Sequence, residues 1–389
     1  DELAAFLACL GINADVCRTV QGRPLKGANQ LVDMSNSEMR KQLGLRTPVE
    51  RLVVRYSLKR LMEADRFEHR IQNQKSNLLG DSVLRGFLVP SDELRLIGKI
   101  GQGGFGVVFR SMLMPKENRR CLQANKQHIV AAKEMTGERR QRLYELLKEA
   151  NVMASLHHPN ICNFIGVCAD RSGKKHYIVS ELMDCSLFDL VHQQYKLRWH
   201  GDLSISLVVD ISLGICAGVT YLHSRSLVHA DLKSSNILID YSTSAYQLFP
   251  RICDFGHAAV RPFPAPHHRL GTPHWAAPEA LRSEALSQAA DVYSFGVMLW
   301  EMLAQKLPHR NLNFAQVLAA VGWAGWTPDL SDLPPEVPIE LIGVLEACFS
   351  FSAASRPTAK DVGRTLRRIR RKAKIKAFEM LSAFVTSMC

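Results

Sequence analysis

The sequence predicts an α+β chain in two parts: a small all-α segment, then a larger domain that opens in β-strands and turns helical. Three observations carry this. Apolar residues in the first 65 positions recur at helical spacing between glycine stops. A glycine-rich run from Ile100 to Gly106 is followed by the β-forming Val107-Val108-Phe109, and Ile129-Val130-Ala131-Ala132 reads as a short buried strand. A helical stretch, Leu143 to Leu156, comes next.

In the first segment, Leu3, Phe6, Leu7 and Leu10 share a helical spacing that Gly11 stops. Ser35-Asn36-Ser37-Glu38 offers a capping box, Ser35 with Glu38, ahead of Met39 and Leu43, and Gly44 ends that helix. A longer helix opens near Thr47-Pro48, with Pro48 in the first turn, and carries Leu52, Tyr56, Leu58 and Leu61 toward the charged stretch Glu63 to Lys75. Residues 1–66 resemble a sterile alpha motif (SAM) domain, a five-helix interaction module. The likeness runs over Leu7–Ile12, Val20-Gln21-Gly22 through Leu31, Met34–Met39, Leu43-Gly44-Leu45 and the final helix. The early aromatic residue common in that family is absent, and Thr47-Pro48 stands where a glycine usually precedes the last helix. The resemblance implies a homo- or hetero-oligomer made through this module, with RNA binding a rarer use; an unrelated helical bundle is the alternative. Residues 67–93 read as a linker.

Ile100-Gly101-Gln102-Gly103-Gly104-Phe105-Gly106-Val107-Val108 contains G-x-G-x-x-G at Gly101, Gly103 and Gly106. Glycines let a backbone approach a polyphosphate closely. A dinucleotide-binding turn needs a helix directly after the third glycine. Here a β-forming run follows, so the loop joins two antiparallel strands. Lys133 ends the next strand and Glu149 lies on the following helical stretch, spaced so that the two can pair; a solvated Lys is the plainer reading. Further on come Leu-Val-His-Ala-Asp-Leu-Lys-Ser-Ser-Asn over Leu227–Asn236, Cys253-Asp254-Phe255-Gly256 and Ala277-Pro278-Glu279. Asp231 and Asn236 are spaced for one loop to present a carboxylate to a hydroxyl and an amide oxygen to Mg²⁺, and Asp254 adds a second metal ligand.

Residues 94–370 therefore resemble a eukaryotic protein kinase domain, whose motifs occur here in order. The resemblance implies a bilobal fold, with a small β-rich lobe carrying one main helix and a large helical lobe. It also implies ATP and Mg²⁺ as cofactors. By resemblance the loop Ile100–Val108 covers the phosphates, Val108 and Ala131 sandwich adenine, and Lys133 contacts the phosphates and pairs with Glu149. Backbone groups of Glu181 and Met183 bond adenine, Ser180 is a small gatekeeper, and Asn236 and Asp254 hold Mg²⁺. Asp231 orients and deprotonates the substrate hydroxyl, and Lys233 touches the transferred phosphoryl group. Asp291 anchors the catalytic loop, and Arg356 pairs with Glu279, a buried ion pair of structural kind. Lys233 and Thr272 resemble the serine/threonine pattern, and Trp275-Ala276-Ala277-Pro278-Glu279 with Ala347-Cys348-Phe349 resembles the tyrosine-kinase-like branch of those kinases.

Two departures belong together. Ala230 stands where most members carry an arginine that pairs with an activation-loop phosphate. Between Gly256 and Ala277, Thr272 is the only hydroxyl residue, and the loop reads Pro262-Phe263-Pro264-Ala265-Pro266-His267-His268-Arg269. Acceptor and receptor are both missing, which predicts activity without loop phosphorylation. A kinase-fold scaffold that binds nucleotide without turnover is the alternative class. The intact Lys133, Asp231, Asn236 and Asp254 favour the enzyme.

Composition bounds the rest. At roughly 150 residues per domain, 389 residues suggest two to three domains. Hydrophobic residues at 47% and charged residues at 22% are globular values. The apolar run Ile211 to His223 is too short to span a bilayer, so no membrane span is expected. Ten cysteines without a C-x-x-C pair fit a reducing compartment, and a cytoplasmic location is expected, with nuclear or membrane-peripheral sites as alternatives. The first residue is Asp1 rather than Met, so the sequence leaves open whether a targeting signal lies upstream. Cys253 reads either as a small buried hydrophobe or as a reactive thiol beside the nucleotide, and His157-His158 and His267-His268 lack partners of zinc spacing. Met114 to Gln127 reads as a polar insertion. The formal charge of +12 is uneven: residues 360–389 hold 9 basic and 2 acidic side chains, against 26 and 25 over 91–359. Specific nucleic-acid binding is not expected. The basic stretch 364–376 places Leu366, Ile369 and Ala373 on one face. It reads either as a solvated end of the last kinase helix, with 371–389 as a helical tail, or as a weak contact for acidic membrane or a regulatory protein.

Overall fold

The computed structural model describes residues 84, 87–103, 106–114, 128–135, 139–172, 174–192, 203–242, 247–260, 263–264 and 273–388, together with Ser37. All but Ser37 belong to the second of two units into which the chain divides, Ser82–Cys389. The SAM-like segment, the first part of the linker, Gly104, Phe105, the insertion from residue 115 onward and Thr272 lie outside the described residues.

Six strands form the main sheet: β1 (Leu88–Val89), β2 (Leu94–Gly103), β3 (Gly106–Leu113), β4 (His128–Met135), β5 (Phe164–Ala169) and β6 (His176–Glu181). Their order is β1-β5-β6-β4-β3-β2, with β1 parallel to β5 and the other pairs antiparallel. Alternation along the strands separates two faces. Leu113, Val130, Ala132, Tyr177 and Val179 close over one small core, while Ile178, Met135 and Phe164 join the larger core with Leu146, Ala150 and Met153 of helix α1 (Arg139–Ala154).

The strand Leu88–Val89 lies within the stretch read as linker, and it is the edge strand of this sheet. Val167 N–H donates to Phe87 O at 2.9 Å, and the Phe87 ring meets Phe164 at 5.2 Å. A Cβ on Gly166 would stand 2.1 Å from Phe87 O, so only glycine admits this approach.

The second lobe is helical: α2 (Leu187–His192), α3 (Ile205–Ser224), α4 (Pro278–Leu281), α5 (Gln288–Ala304), α6 (Phe314–Gly322), α7 (Ile339–Cys348) and α8 (Ala359–Met388). A β-sheet lobe followed by a helical lobe is the bilobal α+β arrangement that the motifs imply. Ser287 caps α5 by accepting from Ala289 N–H, and every residue from Ala290 to Leu303 is buried. Short strands β7 (Cys185–Ser186), β9 (Ile237–Ser242) and β10 (Gln247–Ile252) form a second sheet, and β8 (Leu227–Val228) pairs with β11 (Ala259–Val260).

One sequence expectation is corrected at α3. Its 20 residues are long and apolar enough to cross a membrane by composition, because the helix extends well before Ile211. Packing accounts for that composition: Val208, Ile211, Ile215, Val219 and Leu222 are buried in the core shared with α5 and α8. On α8, Leu366 and Ile369 are buried with Val362, whereas residues 371–375, Ala373 among them, are exposed, with Lys372 Nζ 3.0 Å from Glu340 Oε1 of α7.

Candidate active site

Lys133 sits on β4 opposite Val108 of β3, and the hairpin β2–β3 closes at Gly103 and Gly106. The glycine-rich run thus joins two antiparallel strands, as its β-forming flank requires. Gly106 has φ +145°, and a Cβ there would lie 2.0 Å from Glu134 O; that position accepts no side chain. Ile100 is 52% exposed on the outer strand. Ala131 pairs with Ser180 across the sheet, two strands in from β2, so Val108 and Ala131 line the same region as the expected gatekeeper.

Lys133 Nζ lies 2.9 Å from Glu149 Oε1 and 2.9 Å from Asp254 Oδ1. Glu149 is presented by α1 and is 2% exposed. Burial alone would pull the Lys133 ammonium down, but the Glu149 and Asp254 carboxylates outweigh it and hold the group above the ordinary lysine range. Burial also pushes Glu149 above the usual carboxylate range even with Lys133 beside it, whereas at Asp254 the lysine more than reverses the cost of burial and the carboxyl is lowered. With two carboxylates at 2.9 Å, the ammonium is the fixed charge of the site.

The catalytic loop is built around Asp291 of α5. Its Oδ2 accepts from His229 N–H at 2.9 Å and meets His223 Nε2 at 2.9 Å, and its Oδ1 accepts from Ala230 N–H at 2.9 Å. These bonds hold Ala230 at φ 66°, a left-handed conformation that costs an ordinary residue roughly 1–2 kcal/mol. Burial would raise the Asp291 carboxyl, but the hydrogen bond from His223 leads the effects that lower it.

Asp231 Oδ2 accepts from Lys233 Nζ at 2.8 Å and from Asn236 Nδ2 at 3.0 Å. Asn236 Nδ2 also donates to Asp231 O at 2.8 Å, which directs the amide oxygen away from Asp231. Cys253 N–H donates to Asn236 O at 3.0 Å, tying the loop that carries Asn236 to the one that carries Asp254. Asp254 has φ 63°, which turns its carboxylate toward Lys133. One carboxylate, one amide oxygen and one ammonium in a single polar cluster are a donor set that fits a nucleotide phosphate chain with Mg²⁺. Asn236 and Asp254 would hold the metal, and Lys133 the phosphates.

Glu181 N–H donates to Asn163 O at 3.1 Å, and Ser180 Oγ donates to the Glu181 carbonyl at 3.5 Å. Met183 lies two residues past the end of β6. Arg251 went unnoticed in the reading of the sequence. On β10, it grips Glu181 through Nη1 at 2.7 and 2.6 Å, while Asn163 N–H adds a third bond to that carboxylate at 2.6 Å. A lone Arg in a β-forming run carries no signal of the partner that folding brings to it. Burial pushes the Cys253 thiol well above its usual range, which favours the small-hydrophobe reading over the reactive one. His158 stacks on Tyr221 at 4.9 Å, and its Nδ1 accepts from Asn160 N–H at 3.1 Å.

The chain matches the protein kinase domain family over residues 94–365. It belongs to the protein kinase family. The chain is 32% identical over 302 residues to the serine/threonine-protein kinase CTR1 of Arabidopsis thaliana, covering 76% of this chain and 33% of that protein. It is 34% identical over 223 residues to the probable serine/threonine-protein kinase drkA of Dictyostelium discoideum, covering 56% and 32%. With the mitogen-activated protein kinase kinase kinase zak-1 of Caenorhabditis elegans it shares 28% over 296 residues, covering 72% and 36%. The chain thus spans about a third of the length of these relatives, all named as kinases of serine/threonine or related type. The kinase domain begins where the site does, at β2, and the motif residues that the sequence singled out and the structure describes all fall inside it.

Proposed function

We propose that the protein is an ATP- and Mg²⁺-dependent serine/threonine kinase acting on protein hydroxyls. The observation that carries this reading is the pair Lys133–Asp254 and the group Asp231–Lys233–Asn236, joined where Cys253 N–H donates to Asn236 O, with every charged member paired. Bound Mg²⁺ would neutralise charge on the phosphates. Asp231 keeps Oδ2 on Lys233 and Asn236, which leaves Oδ1 to accept the hydroxyl proton and aim the oxygen in line. Lys233, one ammonium away from Asp231, is positioned to meet charge that develops on the transferred group. Radiolabel transfer from ATP to a generic protein substrate tests this against Asp231→Asn. A variant signal at least a hundredfold lower is expected; equal signals would favour the scaffold.

Further parts of the proposal concern regulation and partners. Ala230, with a methyl in place of a guanidinium, supports activity without a phosphate on the loop. A phosphopeptide map of active enzyme with an essential phosphate there, other than on Thr272, would refute this. The SAM-like likeness of residues 1–66 supports self-association, to be read from the size of the full chain against one lacking that segment. The exposed Arg371, Lys372 and Lys374 of α8 support weak contact with acidic membrane or a regulatory protein, in a cytoplasmic setting. Sedimentation with anionic and neutral vesicles separates those two partners.

A further inference from the structure

The small lobe includes residues that lie ahead of the family match at 94–365. Leu84 is 7% exposed and shares the larger core with Leu146, Ala150 and Met153 of α1. Phe87 N–H donates to Leu84 O at 2.9 Å, closing a turn, and Phe87 packs against that same core. Its ring tilts at 44° to that of Phe164, a buried residue of β5 that pairs with Ser180. Leu88 is 58% exposed, while Val89 enters the smaller core. The backbone is seated as closely as the side chains. A Cβ on Gly166 would stand 2.9 Å from Val89 Cγ2 as well as 2.1 Å from Phe87 O.

Helix α1 carries Glu149 into the site, and its polar tie to the sheet is the Lys133–Glu149 pair at 2.9 Å. An ion pair at hydrogen-bond distance tolerates little displacement, and a close-packed core passes a shift from one residue to the next. Without the Phe87 ring a void would open against Phe164, and its neighbours would relax toward it. Strands β4, β5 and β6 are fixed by their ladders, so α1 is the element that gives. We infer that Phe87, with Leu84, is a positioning residue for phosphoryl transfer: the segment ahead of the family match packs α1 so that Glu149 meets Lys133. The inference rests on the proposed function, which gives Lys133 the nucleotide phosphates. A strand that served stability alone would need only its backbone bonds to β5. This segment also sends two side chains into the core that α1 shares.

The test uses the full chain, with transfer that depends on Asp231 shown first. Phe87→Ala removes the ring and keeps the backbone pairing, Leu84→Ala empties the neighbouring seat, and Phe87→Leu restores apolar volume. As controls, Leu88→Ala changes the exposed side chain of the same strand, and Leu366→Ala opens a cavity in the helical lobe. For Phe87→Ala and Leu84→Ala, KM for ATP and the Kd of a fluorescent nucleotide should each rise at least fivefold. Phe87→Leu, Leu88→Ala and Leu366→Ala should stay within twofold of wild type, even where Leu366→Ala lowers the thermal midpoint as much. In a Glu149→Gln background, Phe87→Ala should add no further loss of nucleotide affinity, because both changes act through Lys133. Unchanged KM and Kd in a folded alanine variant, losses that multiply with Glu149→Gln, or an equal rise in Leu366→Ala would each overturn the inference. Loss of the fold in both alanine variants would overturn it too, by making the segment an element of stability alone. Transfer that Asp231→Asn leaves intact would instead overturn the kinase reading, whatever the Phe87 variants show.

Discussion

Glu279→Gln is the sharpest probe of how the activation segment is anchored. In the folded protein Arg356 has a fully buried guanidinium and Glu279 a carboxylate that is 6% exposed. Nη1 reaches Oε1 at 2.6 Å and Nη2 reaches Oε2 at 2.8 Å, a bidentate pair. Three carbonyls complete the shell, Ser350 at 2.7 Å, Ala289 at 2.9 Å and Phe351 at 3.2 Å, and the guanidinium lies 5.0 Å from the Tyr293 ring centroid. The substitution removes the one counter-charge paired with Arg356 among the described residues and aims an amide N–H at the guanidinium. Breaking a buried pair by neutralising one partner costs about 3–5 kcal/mol, a large share of the roughly 5–15 kcal/mol that holds a domain folded. At about 2 °C per kcal/mol for a domain of this size, the thermal midpoint should fall by roughly 6–10 °C. The assay is thermal unfolding of wild type, Glu279→Gln, Arg356→Met and the double variant. The double should cost less than the sum of the singles by at least about 2 kcal/mol, since the two partners share one interaction. A loss under about 1 kcal/mol for Glu279→Gln, or strictly additive losses, would refute the reasoning.

Two more outcomes follow from local geometry. Gly166→Ala drives a methyl into Phe87 O, so it should destabilise by about 1–3 kcal/mol, while Gly98→Ala, with nothing within 4 Å of its Cβ, should be nearly silent. Equal midpoints for the two variants would show that β1 is not held as described. His309 is lowered from 6.5 to about 4, first by burial and then by His274 beside it. The unfolded chain then binds a proton that the folded one refuses, so this contribution to stability is complete above pH 6.5 and is lost as the pH falls toward 4. At pH 5 the loss is about 2 kcal/mol. His309→Asn, which tolerates the φ of 51°, should shrink the drop in midpoint between pH 7.5 and about pH 5 by roughly 4 °C, and parallel pH profiles would refute this.

The candidate catalytic constellation was legible in the amino-acid string because each part of it is short and local. Asp231, Lys233 and Asn236 lie within six residues, Asp254-Phe255-Gly256 is contiguous, and the β-forming run after Gly106 distinguishes a hairpin from a helix-capped turn. Local sequence fixes such motifs, since a loop's conformation and its polar atoms come from neighbouring residues. Helical period places Leu366, Ile369 and Ala373 on one face of α8, but period cannot tell which turns of that face are covered, and only Leu366 and Ile369 of the three are buried. The α3 helix was read short for a related reason: composition reports apolarity, and only its neighbours α5 and α8 explain it. The strand Leu88–Val89 depends on an absence, the missing side chain of Gly166 far along the chain. Arg251 with Glu181, and Glu301 with Ser234, Trp275 and His192, join positions from tens to more than a hundred residues apart. The candidate reactive groups could be named from the string, because such groups are residue types. The tertiary structure alone decided which buried charges meet, because a carboxylate inside a protein is defined by the donors that folding brings to it.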